Sequence, residues 1–209
     1  MNDFCVHVVD DDEAMCEALE YLLKSDGLRT ATYGSARQFL NAYDPRRPGV
    51  LVLDVRMHGM DGLELQKYLV NKGYDIPVII LTGHGDVPMA VKAVRAGALE
   101  FLQKPVDDQP LFDSIRRAAK IDAANRLRRE RMRSIETRIH ELTKRETEVM
   151  ELVVNGLANK QIAEKLSISS KTVEVHRKHV MQKMAATSTV DLTCMVLWFR
   201  NQQALILGA

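Results

Sequence analysis

Val50-Leu51-Val52-Leu53-Asp54-Val55-Arg56-Met57-His58-Gly59-Met60-Asp61-Gly62 is the stretch that decides the fold. Residues 50–53 are apolar without alternation, which reads as a strand buried on both faces, as in a parallel sheet. Asp54 follows at once, and then a loop with two glycines. In an open parallel sheet, ligands bind beyond the carboxyl ends of the strands. Asp54 therefore stands where such a fold places its chemistry.

Working outward, similar apolar runs occupy 4–9, 28–32, 78–81 and 99–102. Helical spacing lies between them, as in Met15, Ala18, Leu19 and Leu22, or Ala90, Val91 and Val94. Five strands interleaved with five helices predict a doubly wound α/β domain with a five-stranded parallel sheet over residues 1–120. Right-handed crossovers follow from that topology. The last helix should begin near Asp108, and no glycine or proline interrupts 111–141. A charged linker helix over 121–140 is expected, continuous or nearly so with the preceding one. Its arginines, Arg126, Arg128, Arg129, Arg131 and Arg133, read as a solvated face, or as contacts to DNA phosphates or to a second copy. Over 141–209 the periodicity is helical, with Gly156 and residues 166–170 as the main breaks. Four helices near 144–155, 159–166, 170–184 and 188–201 make an all-α domain.

Net charge is only +1 over 209 residues, but it is unevenly spread. Residues 1–120 hold 14 Lys+Arg against 18 Asp+Glu, whereas 121–140 hold 6 against 3 and 141–209 hold 9 against 7. An acidic front and a basic back suit a second part that meets nucleic acid. No apolar run approaches the ~18–20 residues of a membrane span, so no membrane partner is expected. Met1-Asn2-Asp3-Phe4-Cys5 lacks a basic region followed by an apolar core, so no secretory signal is expected. Cys5, Cys16 and Cys194 show no metal-ligand spacing and read as reduced, mostly buried thiols of a cytoplasmic protein.

Strand one ends Val9-Asp10-Asp11-Asp12-Glu13, and strand three ends at Asp54. If these strands are neighbours, Asp10, Asp11 and Asp54 meet at one sheet edge. Their mutual repulsion calls for a cation, and an all-oxygen site suits Mg²⁺. Asp12 and Glu13 fit better as N-cap and first-turn residue of the next helix. Thr82 ends strand four with Gly83 beside it, and Lys104-Pro105 ends strand five. A cis bond before Pro105 is expected, which would aim Lys104 inward.

In the C-terminal part, Ile162, Ala163 and Leu166 form a short apolar face, and after a break Ser169 is placed to cap the next helix. That is a helix-turn-helix. Val173, His176, Val180 and Met184 form its inward stripe, with His176 as a satisfied, partly buried histidine. Lys171, Glu174, Val175, Lys178 and Gln182 point outward. They offer cations for phosphates, polar groups for base edges and a methyl contact for thymine. Thr172, Arg177 and Lys160 are further phosphate candidates, and Glu174 could accept a cytosine amino proton.

Asp10, Asp11, Asp54, Thr82 and Lys104, in that order, resemble the signature of a bacterial two-component receiver domain of flavodoxin-like fold. The segment Leu142-Thr-Lys-Arg-Glu through Asn159-Lys-Gln-Ile-Ala to Ser169-Ser-Lys-Thr-Val-Glu-Val-His176 resembles a LuxR-type output domain. The pair is similar to the NarL/FixJ response regulators. The resemblance implies that Asp54 accepts a phosphoryl group from a sensor histidine kinase. It implies that Asp11, Asp54 and the backbone carbonyl of Arg56 bind Mg²⁺, with Asp10 acting through water. Thr82 and Lys104 would hold phosphoryl oxygens, and Thr82 with Phe101 would form the switch. Val91 and Arg95 would lie on the face that pairs two phosphorylated copies. Promoter DNA and RNA polymerase are the other implied partners, in the bacterial cytoplasm. The last helix, near Leu197 and Trp198, would dimerise on DNA or complete the small core, and core packing is the expectation.

One departure from the receiver pattern stands out, because that pattern usually has proline where this chain has His58. The loop loses a rigid φ and gains a group that titrates near neutrality, either as a tolerated surface change or as a looser, pH-sensitive phosphorylation site. Two other functions fit parts of the sequence. A Mg²⁺-dependent aspartate-nucleophile phosphatase needs an acid two residues after the nucleophile, where this chain has Arg56. A phosphorylation-independent regulator would bind its promoter equally well with Asp54→Asn.

Overall fold

The structure, a computed structural model, describes residues 3–83 and 87–207. Met1 and Asn2, at the start of the stretch searched for a signal, lie outside them. The chain divides into two compact units, Met1–Arg126 and Leu127–Ala209.

The first unit alternates strand and helix: β1 Cys5–Val9, α1 Glu13–Ser25, β2 Arg29–Tyr33, α2 Ala36–Ala42, β3 Gly49–Leu53, α3 Gly62–Asn71, β4 Val78–Thr82, α4 Val87–Arg95 and β5 Glu100–Gln103. All strand pairings are parallel, in the order β2-β1-β3-β4-β5. Every residue of β3 and β4 is buried, as an uninterrupted apolar run between two helix layers requires. One apolar cluster lies on each face of the sheet, with Leu51, Leu53 and Ile80 in one and Val50, Val52, Ile79 and Leu81 in the other. This odd–even division is the period-two alternation of strand side chains.

The cap expected at Asp12 forms. Asp12 accepts from the N–H groups of Ala14 and Met15, with Glu13 in the first turn of α1. Asp61 and Glu64 close a capping box at the start of α3. Gly62 is required by close approach, because a Cβ there would lie 2.1 Å from the Asp54 carbonyl oxygen.

Helix α5 runs Asp108–His140 as one element. Residues 121–140 are shared between the units. Asp122 is buried in the first unit and accepts from the Gly49 N–H at 3.2 Å. Ile135 is buried in the core of the second. The second unit continues with α6 Lys144–Val154, α7 Asn159–Leu166, α8 Ser170–Met184 and α9 Thr189–Leu207. Helix α9 passes the expected end at 201, since no glycine or proline intervenes before Gly208. No described helix is long and apolar enough to cross a membrane.

Candidate functional site

Chain direction alone assembles the first site. With β1 and β3 as neighbours, Val9 pairs with Leu53, and the Asp54 N–H donates to the Val9 carbonyl at 2.9 Å. The residues that follow the two strands, Asp10 and Asp54, therefore lie side by side, and both are buried. The strand order reverses here, so this is the switch point of the sheet. Thr82 ends β4 and is buried, and the Lys104 N–H donates to its carbonyl at 2.9 Å. The Lys104–Pro105 bond is cis, as expected from the sequence.

Lys104 is the hub of this site. Its ammonium donates to Asp10 Oδ2 at 2.5 Å and to Asp54 Oδ1 at 3.0 Å. Burial alone would push the Lys104 pKa down, but its bonds to the two carboxylates outweigh that and raise it. Asp10 is raised by burial against the pull of Lys104, and the Asp54 charge adds to the rise. Asp10 Oδ1 also accepts from the Asp12 N–H at 3.0 Å.

Asp11 faces elsewhere. Its Oδ2 accepts from the His58 N–H at 2.9 Å and lies 2.5 Å from His58 Nδ1. Partial burial pushes Asp11 up, the two His58 contacts pull it down, and the net shift is downward. Among the described residues, no three His, Cys, Asp or Glu side chains are gathered so that they could hold a metal. The oxygen donors around Asp54 nevertheless have the chemistry that suits Mg²⁺. Arg56 lies in the β3–α3 loop with its side chain exposed.

Phe101 pairs with Ile80 across β5–β4, and its partly buried ring packs against the core. Val91 and Arg95 are both exposed on α4.

In the second unit, α7 and α8 are joined through Ser167 in the left-handed conformation. The Ser169 hydroxyl accepts from the Thr172 N–H at 3.0 Å and so caps α8. Val173, Val180 and Met184 are buried, whereas Lys171, Thr172, Glu174, Val175, Lys178 and Gln182 are exposed. Lys160 is exposed on α7. Arg177 is half-buried and donates to Thr189 Oγ1 at 3.1 Å, and the Thr172 hydroxyl lies 2.7 Å from that of Ser169.

Two expectations change. His176 is partly buried but not satisfied, since its buried Nδ1 has no hydrogen-bond partner. Leu197 does not fill the core: it is 51% exposed, because α9 is apolar on more than one face and its buried side is taken by Leu192, Val196 and Phe199. Trp198 does pack against that core, with the Arg131 guanidinium 4.5 Å from its ring centre. Of the thiols, Cys5 and Cys16 are buried and Cys194 is exposed.

Sequence reasoning left Arg145 and Glu146 without roles. Glu146 closes a capping box with Thr143 and accepts from Lys183 of α8 at 2.7 Å. Arg145 donates to the Leu166 carbonyl at the end of α7 at 2.7 Å. These two residues set α7 and α8 against α6. The Thr143-x-x-Glu146 spacing was the available signal.

Comparisons with known proteins match both parts of the chain. The family described as "Response regulator receiver domain" matches residues 6–116, and "Bacterial regulatory proteins, luxR family" matches 140–196. The transcriptional regulatory protein FixJ of Azorhizobium caulinodans is 49% identical over 92% of this chain and 91% of its own length. The response regulator protein TmoT of Ectopseudomonas mendocina is 43% identical over 92% of this chain and 88% of its own. Among solved structures, the response regulator StyR is similar with a TM-score of 0.85 and 43% identity, over 93% of this chain and 98% of that one.

Proposed function

The chain belongs to the NarL/FixJ response regulators, phosphorylation-activated transcription factors that join a receiver domain to a LuxR-type DNA-binding domain, and from that premise we propose how its own residues divide the work. The observation that carries the reading is the Lys104 ammonium shared between the buried carboxylates of Asp10 and Asp54.

Asp54 is the acceptor. A carboxylate oxygen attacks the phosphorus of a phosphohistidine on a sensor kinase. The O–P bond forms, the donor's P–N bond breaks, and the leaving imidazole is protonated. Lys104 keeps Asp54 oriented in the resting state and passes to a phosphoryl oxygen afterwards. Thr82, one strand over, holds another. Asp11, Asp54 and the Arg56 carbonyl would hold Mg²⁺, with Asp10 acting through water. When bound, the ion supplies positive charge against the anionic donor.

The added charge draws Thr82 inward, and Phe101 follows it. The α4 face with Val91 and Arg95 then pairs two copies. Exposed Lys160, Lys171 and Lys178 meet phosphates, with Thr172 and Arg177 at the flanks, and Glu174 and Val175 meet base edges. The protein works in the bacterial cytoplasm and contacts RNA polymerase at the promoter. Arg56, in place of a second acid, suits a switch that holds its phosphoryl group rather than a phosphatase that turns over.

DNA binding measured with and without acetyl phosphate, at two salt concentrations, tests this reading. We expect tighter binding on phosphorylation, lost in Asp54→Asn, and an affinity that falls steeply with salt. Equal binding by the wild type and Asp54→Asn under both conditions would refute it.

A further inference from the structure

His58 occupies the loop after the acceptor and places two contacts on a single atom, Asp11 Oδ2, one from its backbone N–H and one from its ring. A proline at this position, as in the receiver pattern, can make neither, because it lacks both the N–H and the imidazole. The ring is fully exposed on its other sides, so this pair is its anchorage. With Asp11 held there, the described acidic side chains do not converge as a set of three ligands. Asp10 and Asp54 are meanwhile occupied by Lys104.

We propose that His58 is a positioning residue that latches Asp11 in the resting receiver and so weakens its hold on a divalent cation. The proposal rests on the reading of Asp11 as a cation ligand. Where His58 holds it, the Asp11 carboxylate does not converge with other acidic ligands, so joining Asp10 and Asp54 around a cation requires it to turn away from the ring, and the lost contact lowers cation affinity. The ring is solvent-exposed, so the contact is screened, and its loss changes binding by roughly two- to fivefold. The latch is thus a built-in threshold. A chain with His58 needs more free cation, or the help of a docked phosphodonor, to assemble the site that a chain with proline assembles alone.

The two contacts can be removed one at a time, which separates a latch from a merely structural loop residue. His58→Ala keeps the backbone N–H and loses the ring, and His58→Pro loses both. Mn²⁺ serves as the probe, titrated into the full-length chain without phosphodonor. Free ion is read from its electron paramagnetic resonance signal, and Asp54→Asn marks binding at this site. Tyrosine near-ultraviolet circular dichroism verifies that each variant is folded. The expected order is wild type weakest, His58→Ala roughly two- to fivefold tighter and His58→Pro tighter again. Equal affinities in all three would overturn the latch while leaving the cation reading intact. Weaker binding in either variant would overturn it too, because His58 would then be orienting Asp11 toward the ion. Absence of binding in all three would overturn both the cation reading and the latch built on it.

Discussion

The two units place their working residues in opposite environments. In the first, Asp10, Asp54 and Thr82 are buried and bonded, and Lys104 is mostly covered. In the second, Lys171, Glu174, Val175 and Lys178 stand in solvent, and among the described residues the buried charged side chain is Glu146, bonded to Lys183. Chemistry on a single phosphoryl group needs positions held to fractions of an ångström. Reading a duplex needs side chains that are free to meet phosphates and base edges, on a helix whose angle is fixed from behind. Substitutions should therefore act through backbone geometry in the first unit and through presentation in the second.

The sharpest test is Gly62→Ala. The new Cβ would press on the carbonyl oxygen of Asp54 itself, and neither backbone can yield without moving the proposed acceptor. A destabilisation of roughly 3 kcal/mol or more is expected, together with loss of phosphoryl labelling from acetyl phosphate. All five tyrosines lie in the first unit and the sole tryptophan, Trp198, in the second. Tyrosine dichroism should therefore melt early while Trp198 emission does not. A variant that melts and labels like the wild type would break the contrast.

Acid should separate the units in a defined order. His7, on β1, contacts Tyr33, Phe39 and Tyr43, and burial followed by the Arg29 charge lowers its pKa to about 4. Its unfolded value is near 6.5, so the unfolded chain binds more protons between these values. The His7 contribution is complete above pH 6.5 and is lost as pH falls toward 4. Glu146 is lowered to about 2 by Lys183 and the Thr143 N–H. Its contribution is complete above pH 4.5 and is lost as pH falls toward 2. On acidification, tyrosine dichroism should change before Trp198 emission. His7→Phe should lower only the first midpoint. The reverse order, or an unmoved midpoint, would sink the assignment.

The same contrast explains what the sequence made legible. Asp10, Asp54 and Lys104 follow β1, β3 and β5, and Thr82 ends β4, all at one sheet edge, and parallel topology forces strand ends together. Recognising the strands was therefore enough to place them. The outward face of α8 was legible because 3.6-residue periodicity separates Val173, Val180 and Met184 from Lys171, Val175 and Lys178. The His58–Asp11 tie was not legible, since loop side chains follow no period. Nor was the exposure of Leu197, because a helix as apolar as α9 carries too little contrast between its faces. Glu146 was hidden for a different reason: its spacing announces a cap, but its bond to Lys183 depends on how α6 and α8 pack.

On the DNA side, Lys178→Ala and Val175→Ala should behave differently although the residues are near neighbours. Loss of Lys178 should weaken binding on every sequence and reduce the salt slope by about 1. Loss of Val175, which is 49% exposed, should cost about 1 kcal/mol at one base pair only. Competition binding against a panel of single-base variants distinguishes the two. A sequence-selective effect from Lys178 would mean that α8 presents a different face.

The smallest effect concerns backbone conformation, where the comparison is most exposed to refutation. Among the described residues, every left-handed position of the first unit is glycine: Gly27, Gly59, Gly73 and Gly97. The second unit has Gly156, but also Ser167 at φ 54° and Ala185 at φ 50°. Those two flank α8, one in the turn before it and one as its C-cap. A Cβ in the left-handed region costs roughly 1–2 kcal/mol, offset in part by the lower entropy of the unfolded chain. The Ala185 N–H donates to the Gln182 carbonyl, and glycine preserves that bond. Ala185→Gly should therefore stabilise the second unit by about 0.5–1 kcal/mol, read as a higher Trp198 melting temperature with an unchanged tyrosine transition. DNA affinity should stay level, since the exposed face of α8 is untouched. If affinity falls as stability rises, the strained ends of α8 are holding the helix in its reading position, and presentation in this unit is conformational as well as chemical.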